Sequence, residues 1–500
     1  MGSVFKRASK NMVWGMLNKI IIMVFPFWIR TIMIYKLGNI YIGLDSLFTS
    51  ILQVLCLADL GMESAVVFSL YEPLAKGDLS AVGGILSFYK RVYRWIGMAI
   101  FLLGMMLLPF LEGLIKGDHP HDINIYAIYL LQLCNVALGY WLYAYKNALL
   151  VALQRVDVES RIRLAVNVAQ YIVQVMILLY YADYYLYVLA FPLFTILQNL
   201  IRSHIVEHQY AQFFAKGEIK NDEKQRILSK VKALFIYKVG GVILRYADQL
   251  VISAFLGLAV LGKYANYYYV LSTLIGILGI YYNSVRPIIG NSLVEKERAY
   301  NLLFFRKLQD IQMWIVGWWS ICLVCLLQDF IALWAGTDYM LDFLSVILSV
   351  IYFYLWKIQD NVYIFKEAAG LWDQDKIRPV CSALLNLVLN ILLVKRIGLH
   401  GVMFSTIIAV LLIDLPWSAR VFFREYFKEE EKHYYIGLGK WTVCTVIVGS
   451  ITYWLCSLIR YTAVRSFMDK AILCAIVPNV LYGGWHSIEM LAMKRGRING

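Results

Sequence analysis

Fourteen apolar stretches recur along the 500 residues, near 12–35, 44–70, 92–112, 124–148, 163–182, 184–202, 232–255, 264–287, 309–332, 341–365, 378–395, 400–420, 440–459 and 468–490. Each is close to the roughly 20 residues that a helix needs to cross a bilayer. The recurrence predicts an all-α polytopic membrane protein of about 14 transmembrane helices. With 61% hydrophobic and only 16% charged residues, the composition lies far outside the soluble range. The one long charged stretch, near 203–232, leaves no room for a soluble catalytic domain.

The net charge of +14 would raise nucleic acid as a partner of a soluble chain. Here it sorts by loop. Lys76, Lys90, Arg91 and Arg94 follow the second segment; Lys216, Lys220, Lys224, Arg226 and Lys230 follow the sixth; Arg424, Lys428 and Lys432 follow the twelfth. The alternate loops hold only Lys36, Lys116, Lys263, Lys395, Arg396, Arg460, Arg465 and Lys470. Cytoplasmic loops collect Lys and Arg, so both termini are predicted cytoplasmic, and nucleic acid is not required to explain the charge. The basic N-terminus precedes an apolar run interrupted by Lys19, Pro26 and Arg30 without a small-residue cleavage site, which reads as a retained first span.

The polar stretch divides the chain into an N-terminal lobe of six helices (1–202), a cytoplasmic linker (203–231), a C-terminal lobe of helices 7–12 (232–420) and two additional helices (421–500). Leu37-Gly38-x4-Gly43 after the first segment is matched by Leu256-Gly257-x4-Gly262 after the seventh, at an offset of 219 residues that also carries Lys19 onto Lys238. Both helices run in the same direction, so the pattern predicts a parallel duplication about an axis along the membrane normal.

An ionisable side chain near the bilayer centre costs about 2.5–3.5 kcal/mol on insertion scales, so each must be paired, snorkel to the surface or line a wet cavity. Lys19 and Arg30 are eleven residues apart in helix 1, and Lys238 and Arg245 are seven apart in helix 7; at about 100° per residue each pair returns to one face. Two lobes thus each offer a basic stripe, and stripes that face one another would attract a phosphate or pyrophosphate headgroup. The competing reading has Lys19 and Arg30 snorkelling and Arg245 neutralised by Asp248. Asp59 and Glu63, placed four residues apart in helix 2, and Asp248 in helix 7 are candidates for proton or Na⁺ coupling; a salt bridge from Asp59 to helix 1 is the alternative. The amides at Gln132, Asn135, Asn167, Gln170, Gln174, Gln198, Asn199, Asn386 and Asn390 suit helix–helix contacts better than sugar binding, and the tyrosines around 180–187 read as an interfacial belt.

No Gly-x4-Gly-Lys-Ser/Thr loop and no His-Glu-x-x-His pair is present, so neither nucleotide hydrolysis by a P-loop nor zinc hydrolysis is indicated. His119-Pro120-His121 reads as a turn. All eight cysteines, including Cys322-x-x-Cys325, fall in apolar stretches and read as small buried hydrophobes. No catalytic constellation, metal site or cofactor is expected.

In Arg30-Thr31, Leu37-Gly38-x-x-Tyr41-Ile42-Gly43-Leu44, Leu57-Ala58-Asp59-Leu60-Gly61 and Ser69-Leu70-Tyr71-x-Pro73-Leu74-Ala75, the sequence resembles bacterial polysaccharide (O-antigen type, Wzx-like) flippases. These belong to the multidrug/oligosaccharidyl-lipid/polysaccharide (MOP) superfamily. Asp248-Gln249-x-Val251-Ile252-Ser253-x-Phe255-Leu256-Gly257, with Gly262-x-Tyr264-x-Asn266-Tyr267, is similar to the same family's helix 7 to 8 segment. The resemblance implies a MATE/MOP-like fold of two pseudo-symmetric lobes in a bacterial inner membrane. It implies translocation of an undecaprenyl-pyrophosphate-linked oligosaccharide from the inner to the outer leaflet for cell-surface polysaccharide assembly, with an ion gradient as driver. Lipid-linked oligosaccharide, membrane lipids and the polysaccharide polymerase or export machinery are the implied partners. By motif position it carries Arg30, Asp59 and Asp248; Lys19, Lys238 and Arg245 rest on the face geometry. Two alternatives stay open: an integral membrane polymerase or ligase, which is expected to carry a large outer loop, and a cation-coupled multidrug exporter, for which a basic site has the wrong sign. A tag at Glu218 reachable only from outside would reopen the enzyme reading.

Overall fold

The computed structural model describes residues 2–59, 61–117, 119–214, 217, 219, 221–459 and 464–498. Glu218 and parts of the expected linker therefore lie outside the described residues. The chain is helical, without a strand among the described residues, and falls into two compact units, Met1–Gly262 and Lys263–Gly500.

The first unit contains α1 (Gly2–Lys36), α2 (Asn39–Leu55), α3 (Met62–Lys76), α4 (Leu79–Leu107), α5 (Ile125–Trp141), α6 (Tyr145–Ala152), α7 (Val156–Tyr180), α8 (Tyr184–Tyr210) and α9 (Asn221–Leu256). Several starts follow from capping chemistry, a side-chain oxygen accepting from the otherwise orphaned N–H groups of the first turn. Asp78 accepts from the Ala81 N–H at 2.9 Å, Asn124 from Tyr126 at 2.9 Å, and Asp183 from Leu186 at 2.9 Å. α1 packs along α7, where Phe25 stacks on Tyr171 with centroids 5.6 Å apart. α9 packs on α2 and α3.

The boundary between the units falls within α10 (Leu258–Glu295). The second unit continues with α11 (Arg298–Trp334), α12 (Phe343–Lys357), α13 (Asp360–Ala368), α14 (Arg378–Ala409), α15 (Leu415–Phe422), α16 (Lys432–Ser457) and α17 (Val464–Ile498). Asp342 caps α12. Burial pushes its carboxyl up, but hydrogen bonds from Ser345 and His400 outweigh this and hold it below the usual range. A π-turn over Val410–Asp414 joins α14 to α15.

Nine helices among the described residues are long and apolar enough to cross a membrane, or ten if the bent pair α5 and α6, at 50°, is one span. The count is lower than the number of apolar segments for reasons visible in the backbone. The segments at 378–395 and 400–420 lie in one continuous stretch, Asp373–Phe427, which turns at Ile397 and Gly398 (φ +59°). The segment at 44–70 is divided: α2 ends in a 3-10 turn over Cys56–Asp59, and Gly61, at φ +96°, starts α3. Asp59 and Glu63 therefore do not sit on one continuous helix, contrary to the placement of both in helix 2.

The glycine repeat has a reciprocal structural counterpart. Gly38 and Gly257 both adopt positive φ, +94° and +90°, a conformation that disfavours a side chain. A Cβ at Gly43 would collide with the Leu258 carbonyl oxygen, and a Cβ at Gly262 with that of Asn39. Asn39 and Leu258 are themselves related by the repeat offset, so each glycine admits the backbone of the other copy.

Candidate functional site

The polar groups of the first unit form separate clusters. Around the 3-10 turn, Asp59 Oδ2 accepts from the Tyr93 hydroxyl at 3.3 Å, and Glu63 Oε1 accepts from Asn147 Nδ2 at 2.7 Å. Tyr140, Glu63 and Lys238 act on Asp59 electrostatically or by hydrogen bonding. Its Oδ1 is buried without a hydrogen-bond partner. Asp59 makes no salt bridge to α1 among the described residues; the cation beside it is Lys238 of α9. Three of the residues singled out from sequence, Asp59, Glu63 and Lys238, are thus brought together by the packing of α9 on the α2–α3 break.

The other four are Lys19, Arg30, Arg245 and Asp248. Lys19 is exposed on α1 and Arg245 is exposed on α9. The side chain of Asp248, also on α9, is buried. Arg30 is half-buried within electrostatic reach of Asp45, which lies beside Tyr184 and Gln132. Asp45 escaped the sequence reading because it stands at the loop end of its apolar segment, where a carboxylate looks solvated; only its position fifteen residues from Arg30, across a helix reversal, could have suggested the pairing.

Two buried ionic clusters were also not legible. In the first unit, Arg202 donates to both oxygens of Glu159, at 2.8 and 2.6 Å, and Arg163 joins at 3.3 Å. In the second, Asp375 accepts from Lys366 and, at 2.8 Å, from Arg378, while Arg378 also pairs with Asp414 in the π-turn and contacts the Tyr363 hydroxyl at 3.2 Å. All four of these charged side chains are at most 6% exposed. The second set, two cations with two carboxylates, is internally neutralised, and both sets hold helices in place.

The second unit also carries two apolar cavities. One, of about 700 Å³, is lined by residues that include Phe343, Ile347, Tyr354, Leu411 and Tyr453. The other, of about 1010 Å³, is lined by Val443, Ile447, Ile451, Val480 and Trp485 among others. Neither was anticipated, because apolar linings are indistinguishable in sequence from lipid-facing surface.

Two units of long apolar helices define an all-α polytopic membrane protein. Its fold is that of the MATE/MOP transporters. The structure is similar to "Lipid II flippase MurJ, inward closed conformation", with TM-score 0.69, 14% identity, and coverage of 96% of this chain and 99% of that one. It is also similar to an inward-facing multidrug resistance MATE family transporter of the MOP superfamily (TM-score 0.59, 12% identity, 82% and 98% covered). A third is the Vibrio cholerae MATE transporter VcmN (TM-score 0.58, 15% identity, 86% and 99% covered). These are transporters and a flippase, not enzymes. No protein-family profile matches the chain, and no characterised protein matches it in sequence.

Proposed function

We propose that the protein is a flippase for a lipid-linked oligosaccharide, moving an undecaprenyl-pyrophosphate glycan from the inner to the outer leaflet by ion-coupled alternating access in a bacterial inner membrane, with both termini cytoplasmic. The observation that carries this reading is the placing of two cations seven residues apart, Lys238 and Arg245, on a helix apolar enough to cross a membrane. A cation within a membrane span is costly, and a multiply charged phosphate headgroup offsets that cost through charge-assisted hydrogen bonds. Lys19 extends the basic set, and Arg30, oriented by Asp45, completes it.

Asp59, with one buried oxygen lacking a hydrogen bond and with Glu63 and Lys238 beside it, is the group on which we place proton or Na⁺ coupling; Asp248 is the second acid in α9. The sign of the basic set disfavours cationic cargo. Handover to a polysaccharide polymerase or export machinery follows from this reading.

The test is translocation of a fluorescent polyprenyl-pyrophosphate oligosaccharide in proteoliposomes under an imposed proton or sodium gradient. Lys238→Gln/Arg245→Gln is expected to reduce the rate at least tenfold while the protein remains folded. Retained transport in that variant removes the headgroup site. Asp59→Asn is expected to abolish stimulation by the gradient while leaving substrate binding intact; undiminished stimulation assigns coupling elsewhere.

A further inference from the structure

Cys325, Cys456 and Cys474 belong to three different helices, α11, α16 and α17, yet their Sγ atoms all lie within 4.8 Å of one another. The three side chains are 8%, 3% and 0% exposed, and all are free thiols. The Cys456 and Cys474 sulfurs are 3.8 Å apart. A metal ion bound to thiolates at about 2.3 Å sets its sulfurs about 3.8–4.0 Å apart in tetrahedral or trigonal geometry, so the separation already suits a shared ion. It is far beyond the roughly 2.05 Å of a disulfide.

The surroundings add two features. Cys322, one turn before Cys325, places its Sγ 3.8 Å from the backbone carbonyl oxygen of Cys474. Lys470 and Asp329, each four residues from a cluster cysteine on α17 and α11, form an ion pair at 2.7 Å. A thiolate cluster carries negative charge, which an apolar interior disfavours and a bound cation would offset. Cys456 is the penultimate residue of α16, so the cluster lies near a helix end from which an ion can enter.

We propose that these cysteines form a binding site for a thiophilic d¹⁰ cation such as Zn²⁺, Cd²⁺ or Cu⁺, held by Cys325, Cys456 and Cys474 with Cys322 available as a fourth ligand. Soft thiolates select such ions over hard ones. Each ligating thiol loses its proton to solvent as the metal–sulfur bond forms, and the bound ion ties α11, α16 and α17 together. Sequence spacing conceals the site: two ligands are 131 residues apart, and no Cys-x-x-Cys pair supplies both of its members to the triad.

The full chain, purified in detergent with its thiols reduced, should be titrated with Cd²⁺. A thiolate-to-cadmium charge-transfer absorption saturating at one ion per chain is expected, with about three protons released per ion bound and a raised Tm. Cys474→Ser and Cys325→Ser should each lose that absorption, while Cys381→Ser, outside the cluster, should keep it. Alkylation of the unmodified protein gives a readout that needs no variant: Cd²⁺ should protect Cys325, Cys456 and Cys474, identified by mass spectrometry, and leave Cys381 reactive. Absence of a saturable absorption, its survival in folded Cys474→Ser, unprotected cluster thiols, or a Cys456–Cys474 disulfide in protein isolated without reductant would each overturn the site.

Discussion

Asp375→Ala is expected to lower the stability of the protein by about 3–5 kcal/mol, the range for removing one partner of a buried ion pair, seen as a marked fall in Tm in detergent. Asp375 is fully buried and serves both Lys366 and Arg378. Without it Arg378 keeps Asp414, but Lys366, a buried ammonium, loses the carboxylate it is paired with. The loss should therefore be largely reversed in Lys366→Met/Asp375→Leu, because replacing a whole buried pair by apolar groups of similar volume is often close to neutral. A double variant as unstable as Asp375→Ala would show that the pair does more than neutralise itself.

The second large effect is expected at the glycine crossing. Overpacking costs about 1–3 kcal/mol and sometimes more, and at Gly43 the obstacle is the backbone carbonyl of Leu258, which cannot rotate away as a side chain would. Gly43→Val should accordingly yield little folded protein, and Gly262→Val, which meets the carbonyl of Asn39, should behave alike because the contact is reciprocal. Gly279→Ala in α10, where an added Cβ meets nothing within 4 Å, is the control and should be neutral or slightly stabilising. Size-exclusion profiles and Tm values of the three variants decide the matter; wild-type behaviour of Gly43→Val would remove the crossing as a structural constraint.

That crossing also shows what was legible beforehand. The Leu-Gly-x4-Gly repeat could be read because glycine at two matched positions leaves a mark in sequence, and the structure gives the mark a cause in positive φ and backbone approach. Long apolar runs likewise announce helices, since burial and backbone satisfaction in lipid leave no cheaper arrangement. What could not be read depends on the path of the chain between helices. Gly61, at positive φ, starts the helix that carries Glu63 after Asp59, and a single positive-φ residue does not disturb hydropathy. Asp45 and Arg30 meet only because the chain reverses between α1 and α2. Glu159 and Arg202 sit near the ends of their segments, where charges are ordinarily assigned to loops, so their mutual burial left no signal. Lys19, Lys238 and Arg245 stood out because they interrupt apolar runs, and position alone does not reveal which of them share a ligand.

The most direct measurement is a cargo comparison in proteoliposomes containing the wild-type protein. Three cargoes should be presented under the same ion gradient: a fluorescent oligosaccharide on polyprenyl pyrophosphate, the same glycan on an uncharged polyprenyl lipid, and a lipophilic cation. The account predicts gradient-stimulated flipping of the first, at least tenfold faster than the second, with no transport of the cation. Transport of the cation in preference to the pyrophosphate-linked glycan would contradict it.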